Sequence, residues 1–271
     1  MSFEGMTAWI TGASSGIGAA LAEEWASRGA NIILSGRDEG RLSAVANRLE
    51  TETLTLPFDV RDEEAMRAAT DTATGWTDGV DIFVANAGIS QRSPAVDTDM
   101  QVYRDIIDID LTSQIAASQA LLPHMTGRGS GKLLFISSIA GKVGVPMRTA
   151  YCAAKHGLIG YADALRGELS QSGVDVHVVC PGSVATDVSR NALNGDGSVR
   201  GRSDKVIDNG IDPADAAKRI VDAVELNQRE IIVADGMEEA MGELRRTPDQ
   251  LLDQVAGMVA AGYMEKMQAE D

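Results

Sequence analysis

Seven short apolar runs recur along the chain: "TAWIT" (7–11), "NIILS" (31–35), "TLTLPFDV" (53–60), "DIFVAN" (81–86), "KLLFIS" (132–137), "VDVHVVC" (174–180) and "EIIVAD" (230–235). Their apolar residues are continuous rather than alternating, as in strands buried on both faces. Between them the apolar spacing changes to three and four, which predicts helices over 16–28, 39–49, 62–74, 99–125, 149–171 and 213–227. Alternation of this kind predicts an α/β fold, a parallel doubly wound sheet with helices on both faces.

Two regions break the rhythm. Residues 187–212 carry four glycines and no sustained period, the pattern of a lid or a disordered loop. Residues 237–271 form an acidic, Met-rich tail of predicted helices, expected to pack on its own domain. The expected organisation is therefore one domain over 1–236, with lid 187–212, followed by a helical C-terminal extension over 237–271.

Composition narrows the function classes. The 271 residues suit one large domain, and with aromatics at only 4% the core must rest on Ala, Val, Ile and Leu. A net charge of −16 argues against nucleic-acid and membrane-surface partners, but leaves room for a locally basic pocket. Cys152 and Cys180 have no paired or metal-like spacing, and His124, His156 and His177 form no ligand pattern, so no metal is expected. With no apolar run of about 18 residues and no basic-then-apolar leader, the expectation is a cytoplasmic protein.

Chemistry gathers at the strand ends. "TGASSGIG" (11–18) joins the first strand to the first helix, and Gly12, Gly16 and Gly18 allow a tight turn and close approach of a pyrophosphate to the helix N-terminus. The second strand ends in Gly36-Arg37, where an acidic residue would bind a ribose 2′-hydroxyl and an arginine accommodates a 2′-phosphate. "YCAAK" places Tyr151 and Lys155 four apart on one helix face, where an ammonium favours the phenolate over the phenol. The strand before it delivers Ser137 and Ser138 to the sheet's carboxyl edge, where a hydroxyl can hold a substrate oxygen.

Taken in order, "TGASSGIG", "FDV" with Asp59, "NAG" (86–88), the second Ser of "ISS", "YCAAK" and "PGSVAT" (181–186) closely resemble the short-chain dehydrogenase/reductase family over roughly residues 5–235. The segments "GKVGVPMRTAYCAAKHG" and "ATDVSRNALNGDGSVRG" look like bacterial relatives of its family-member-7 type. The resemblance implies a single Rossmann-type domain with about seven strands, an NADP(H) cofactor in preference to NAD(H), a small carbonyl or alcohol substrate, and a homodimer or homotetramer. It implies catalytic roles for Ser138 (orienting the substrate oxygen), Tyr151 (general acid or base) and Lys155 (assisting Tyr151 and holding the nicotinamide ribose). Cofactor contacts are implied for Gly12, Ser14, Ser15, Gly16, Ile17, Gly18, Arg37, Asp59, Val60, Asn86, Ala87 and Gly88. They extend to Tyr151, Lys155, Pro181, Gly182, Val184 and Thr186 at the nicotinamide end.

One departure stands out. In "IDIDLTS" the family's usual Asn, whose backbone carbonyl holds a water linked to the catalytic lysine, is replaced by Asp110. Asp110 therefore joins the candidate catalytic residues. It also motivates a second reading, a catalytically impaired NADP(H)-binding sensor or assembly protein. Arg148 and the lid residues Arg190, Arg200, Arg202 and Lys205 are read as charges on a solvated lid rather than as ligands for an anionic substrate.

Overall fold

Each of the seven apolar runs forms a strand, and the computed structural model describes residues 3–262; residues 263–271 of the expected tail lie outside the described residues. In chain order the elements are β1 (Thr7–Thr11), α1 (Gly16–Ser27), β2 (Asn31–Gly36), α2 (Glu39–Ala46), β3 (Thr53–Pro57), α3 (Glu63–Thr74) and β4 (Ile82–Ala85). They continue with α4 (Met100–Ile107), α5 (Ser113–Arg128), β5 (Gly131–Ile136), α6 (Thr149–Glu168), β6 (Val174–Pro181) and α7 (Lys205–Asp208). The last are α8 (Pro213–Glu225), β7 (Glu230–Val233), α9 (Gly236–Leu244) and α10 (Asp249–Ala260).

The strands make one parallel sheet in the order β3-β2-β1-β4-β5-β6-β7. The chain winds outward from β1 to β3, then returns to place β4 on the other side of β1. Loops after β1 and β4 therefore diverge, opening a crevice at the strands' carboxyl ends.

Both faces of the sheet are buried, which explains the unbroken apolar runs. Ala8, Ile10, Ile32, Leu34, Ile82 and Val84 face a core closed by α1, α2 and α8. Trp9, Ile33, Phe83, Leu133 and Phe135 face the opposite core, under α3, α5 and α6. The polar tip of Trp9 is satisfied in this interior: Nε1–H donates to Ser35 Oγ at 2.8 Å. Helix starts follow local chemistry, with Asp38, Asp62 and Asp212 accepting hydrogen bonds from the first-turn N–H groups of α2, α3 and α8.

The structure departs from the pattern in two places that matter for function. The helix expected over 99–125 is interrupted by a π-helical turn at Asp108–Thr112 between α4 and α5. Asp110 lies within this turn, four residues on from the buried Ile106, and is itself fully buried. The 187–212 segment is irregular but not free. Leu193 N–H donates to Ser90 O at 2.8 Å, Arg92 N–H donates to Leu193 O at 2.9 Å, and Ala185 N–H donates to Ile211 O at 2.9 Å.

Through Ala260 the C-terminal helices lie on the sheet's own domain. Lys142 and Glu230 form a buried ion pair, and Glu230 Oε2 also accepts from Thr247 N–H at 2.6 Å, tying the α9–α10 connection to β7. At Gly167 on α6 an added Cβ would lie 2.7 Å from Val255 Cγ1, so the glycine lets α10 seat closely.

Candidate active site

The crevice is a cleft of about 1100 Å³ whose lining joins the glycine turn, the end of β2, the 86–89 loop, Ser137, Ser138, Tyr151, Lys155 and the 181–188 segment. The turn after β1 needs two of its glycines for conformation, since Gly12 and Gly16 have φ of +65° and +55°. Gly18 serves packing instead: an added Cβ would collide with the Gly12 carbonyl oxygen and lie 2.6 Å from Asn86 Nδ2. Helix α1 thus begins directly behind the turn, its first N–H groups available to an anion in the cleft.

The adenosine end of the cleft carries charge in a definite arrangement. Asp38 pairs with Arg41 at 3.5 Å, and Asp59 pairs with Arg61 at 2.8 Å. The hydrogen bonds from Arg61 hold the Asp59 carboxyl below the usual carboxylate range, against a smaller effect of burial. Arg37, exposed at the rim, makes no ion pair among the described residues. Both Asp59 oxygens are engaged by Arg61. Asn86 is likewise committed, its Nδ2 donating to Thr11 O at 2.9 Å and so tying β4 to β1.

Tyr151 and Lys155 lie one turn apart on α6, with Lys155 Nζ 5.6 Å from the centre of the Tyr151 ring. Lys155 is buried, and Nζ donates to Ile136 O at 3.0 Å. Its other neighbour is Asp110: Oδ2 lies 3.1 Å from Nζ, while Oδ1 accepts from Ile89 N–H at 2.8 Å. Complete burial raises the Asp110 pKa, although Lys155 and the Ile89 N–H oppose that rise. Burial pushes Lys155 the other way, but the Asp110 carboxylate and the Tyr151 phenol together outweigh it, so the ammonium persists above its ordinary range. Gly88 makes room for the pair, since an added Cβ would be 2.9 Å from Asp110 Oδ2 and 3.4 Å from Lys155 Nζ.

The two serines divide as their positions dictate. Ser137 is buried and donates to the Lys155 carbonyl at 3.0 Å, which anchors α6 to the end of β5. Ser138 faces the cleft; Oγ accepts from Ala140 N–H at 3.1 Å and donates to Pro181 O over a long 3.3 Å. That weak donation leaves its proton free to turn toward another acceptor. The Cys180 thiol is pushed up to about 12 by burial and is chemically quiet.

A second cavity of about 660 Å³ shares Ser138, Gly182 and Ile207 with the cleft and is lined also by Ile139, Val145, Arg148, Ser183, Arg200, Arg202, Asp204, Lys205 and Glu238 among others. Arg200, read from sequence as a solvated lid charge, is instead mostly buried against Asp204 at 2.6 Å. Arg92 reaches the same carboxylate at 2.7 Å. Burial works against the Asp204 charge, yet these arginines hold its carboxyl well below the usual range. Glu238, from the acidic tail, accepts from Ser183 N–H at 2.6 Å and Ser183 Oγ at 2.9 Å. Neither Arg92 nor Glu238 was singled out in the sequence, because each acts across more than 50 residues with no local motif. Gln114 is another such residue, its Nε2 donating to Ala87 O at 2.9 Å.

Residues 6–196 match the model of the short chain dehydrogenases. The chain belongs to the short-chain dehydrogenase/reductase family. Within it the chain is of the family-member-7 type. Dehydrogenase/reductase SDR family member 7B of Danio rerio is 38% identical over 234 residues, covering 83% of this chain and 76% of that protein. A Burkholderia phymatum short chain dehydrogenase/reductase, solved in complex with NAD, superposes with a TM-score of 0.81 at 22% identity, covering 92% of this chain and 98% of the other; this family member shares its fold. A Sphingobium yanoikuyae short-chain dehydrogenase in complex with NADPH gives a TM-score of 0.74 at 25% identity, over 84% of this chain and 87% of the other.

Proposed function

We propose that this family member is an NADP(H)-dependent oxidoreductase interconverting a carbonyl compound and its alcohol. The observation that carries the reading is the shared cleft: the glycine turn, unpaired Arg37, Ser138, Tyr151 and Lys155 all line it. When bound, the nicotinamide cofactor supplies or accepts the hydride. The glycine turn and the N-terminus of α1 hold the pyrophosphate. Arg37, with the nearby Asp38 and Asp59 already neutralised by Arg41 and Arg61, takes a 2′-phosphate. Ser138 orients the substrate oxygen, and Tyr151 gives that oxygen its proton in reduction and removes it in oxidation. Lys155 stays charged beside Tyr151 through its contact with Asp110.

The deciding experiment measures kcat/KM for NADPH and NADH on a carbonyl panel, for wild type, Tyr151→Phe and Arg37→Ser. The expected outcome is a preference for NADPH that falls about tenfold in Arg37→Ser, the size of one charge-assisted contact. Full carbonyl reduction by Tyr151→Phe would sink the acid/base assignment.

A second reading has one observation in its favour. Lys155 Nζ is already engaged by Asp110 and Ile136 O, as in a protein that binds the cofactor without turning over a substrate. Tight NADPH binding by fluorescence with no turnover across the panel selects that sensor. The proposal extends to a cytoplasmic homodimer or homotetramer assembled through α4, α5 and α6, testable by sedimentation. Among the described residues no helix is long and apolar enough to cross a membrane.

A further inference from the structure

The cavity beyond Ser138 has an unbalanced lining: four cations, Arg148, Arg200, Arg202 and Lys205, against Asp204 and Glu238. In a chain of net charge −16 such an excess is local and specific. The two carboxylates are moreover spent. Asp204 gives one oxygen to Arg200 and the other to Arg92, and Glu238 is turned onto the Ser183 N–H and hydroxyl.

Arg148 is the residue left over. Its side chain is 24% exposed, and its nearest carboxylate oxygen is Asp204 Oδ2 at 3.8 Å, the same oxygen that Arg92 already holds. No hydrogen bond from its guanidinium is present among the described residues. A guanidinium partly withdrawn from water, with donors that no protein group uses, is open to an anion. Arg148 also stands immediately before α6, three residues ahead of Tyr151, and shares the cavity with Ser138.

We infer that the substrate is a carbonyl compound carrying an anionic group, a carboxylate or a phosphate monoester, which Arg148 receives in this cavity while its carbonyl oxygen meets Ser138 and Tyr151. The planar fork of Arg148 matches either anion. Arg202 and Lys205, exposed at the mouth without ion pairs among the described residues, add attraction as the ligand enters. Ile139 and Val145 give the part between the two polar ends an apolar wall. This inference rests on the reductase reading for its carbonyl, and on Arg148 alone for its anion.

The experiment compares matched substrates with NADPH-saturated protein: 4-oxopentanoate against its methyl ester, and hydroxyacetone phosphate against hydroxyacetone. At least one anion is expected to exceed its neutral partner about tenfold in kcat/KM, and Arg148→Met is expected to bring that ratio to about one, with Arg148→Lys in between. The pair that shows the preference names the anion. In parallel, succinate and inorganic phosphate are titrated against NADPH-saturated protein, with thermal stability as the readout. Stabilisation of wild type but not of Arg148→Met supports the anion site even if no carbonyl turns over, a result that would instead remove the reductase reading. Equal rates within both pairs, an anion preference unchanged in Arg148→Met, or stabilisation by neither anion would overturn the inference.

Discussion

Replacing Asp110 by Asn tests whether its carboxylate sets the state of Lys155. The substitution keeps the side chain's shape but offers one oxygen where the structure uses two. The Ile89 N–H is fixed by the backbone at 2.8 Å, so the remaining oxygen stays there and the new amide group faces Nζ. Two unit charges 3.1 Å apart attract by about 5 kcal/mol at an effective dielectric constant of about 20. Burying the carboxylate consumes much of this, and the net destabilisation from removing one buried partner is about 3 kcal/mol.

The pH dependence has a definite sign. Lys155 is held above its ordinary range in the folded protein, so its stabilising contribution is complete below the unfolded lysine value and is lost as pH rises through the folded one. Without Asp110 the strongest upward influence is gone and burial remains, so the ammonium loses its proton at lower pH. The assay is kcat for alcohol oxidation between about pH 6 and about pH 11, with NADPH affinity by fluorescence and a urea melt alongside. The expected result is cofactor affinity within about threefold of wild type and an alkaline limb displaced toward neutrality. A wild-type limb in Asp110→Asn would refute the reasoning and leave the side chain a purely structural acceptor for Ile89.

Other substitutions probe the surrounding arrangement. Tyr151→Phe is expected to lower carbonyl reduction by about a thousandfold while leaving NADPH fluorescence titration unchanged, as loss of a general acid does. Gly88→Ala places a methyl 2.9 Å from Asp110 Oδ2; stopped-flow turnover is expected to fall about tenfold as the ion pair is displaced. Lys142→Met leaves Glu230 buried and unpaired, costing about 3–5 kcal/mol in a urea melt, and the double variant with Glu230→Met should recover most of that loss. Burial lowers His177 to about 4, so the folded state resists its protonation and stability is lost as pH falls from the unfolded value near 6.5. That loss amounts to about 3 kcal/mol by pH 4, and a urea-melt pH series on His177→Phe is expected to lack it.

The strands were legible because burial on both faces writes itself as an unbroken apolar run, visible without any knowledge of partners. "NIILS" and "KLLFIS" needed only their neighbours to become β2 and β5. The glycine turn was legible for a similar reason: Gly12 and Gly16 answer to backbone conformation, a local quantity. What escaped was set by distant contacts. An apolar period cannot register one inserted residue, so the π turn at 108–112 stayed hidden inside an apparently continuous helix. The lid looked free because its order comes from hydrogen bonds to residues 90 and 92, a hundred positions earlier. Asp110 drew attention as an anomaly whose charge was expected to face Lys155, and the structure sets its Oδ2 3.1 Å from Nζ; the Ile89 N–H that holds its other oxygen had no local signal. Arg92 and Glu238 had neither anomaly nor motif.

The cleft and the cavity that adjoins it at Ser138 thus each hold a cation, and the two meet the same electrostatic problem in opposite ways. Lys155 has a counter-ion built into the fold, so its charge and position persist whether or not a ligand is present. Asp110 can supply that charge because it is buried against Nζ and Gly88 leaves the space. Arg148 has no carboxylate of its own, and burial together with repulsion from Arg92 lowers its hold on the proton. A guanidinium does not relieve this by deprotonating near neutrality, whereas an anion in the cavity would offset it. One cation is therefore paired in advance, and the other keeps donors that the protein itself does not use. On the proposed reading, such a division would let the protein discriminate among carbonyl compounds at Arg148 without disturbing the charge beside Tyr151.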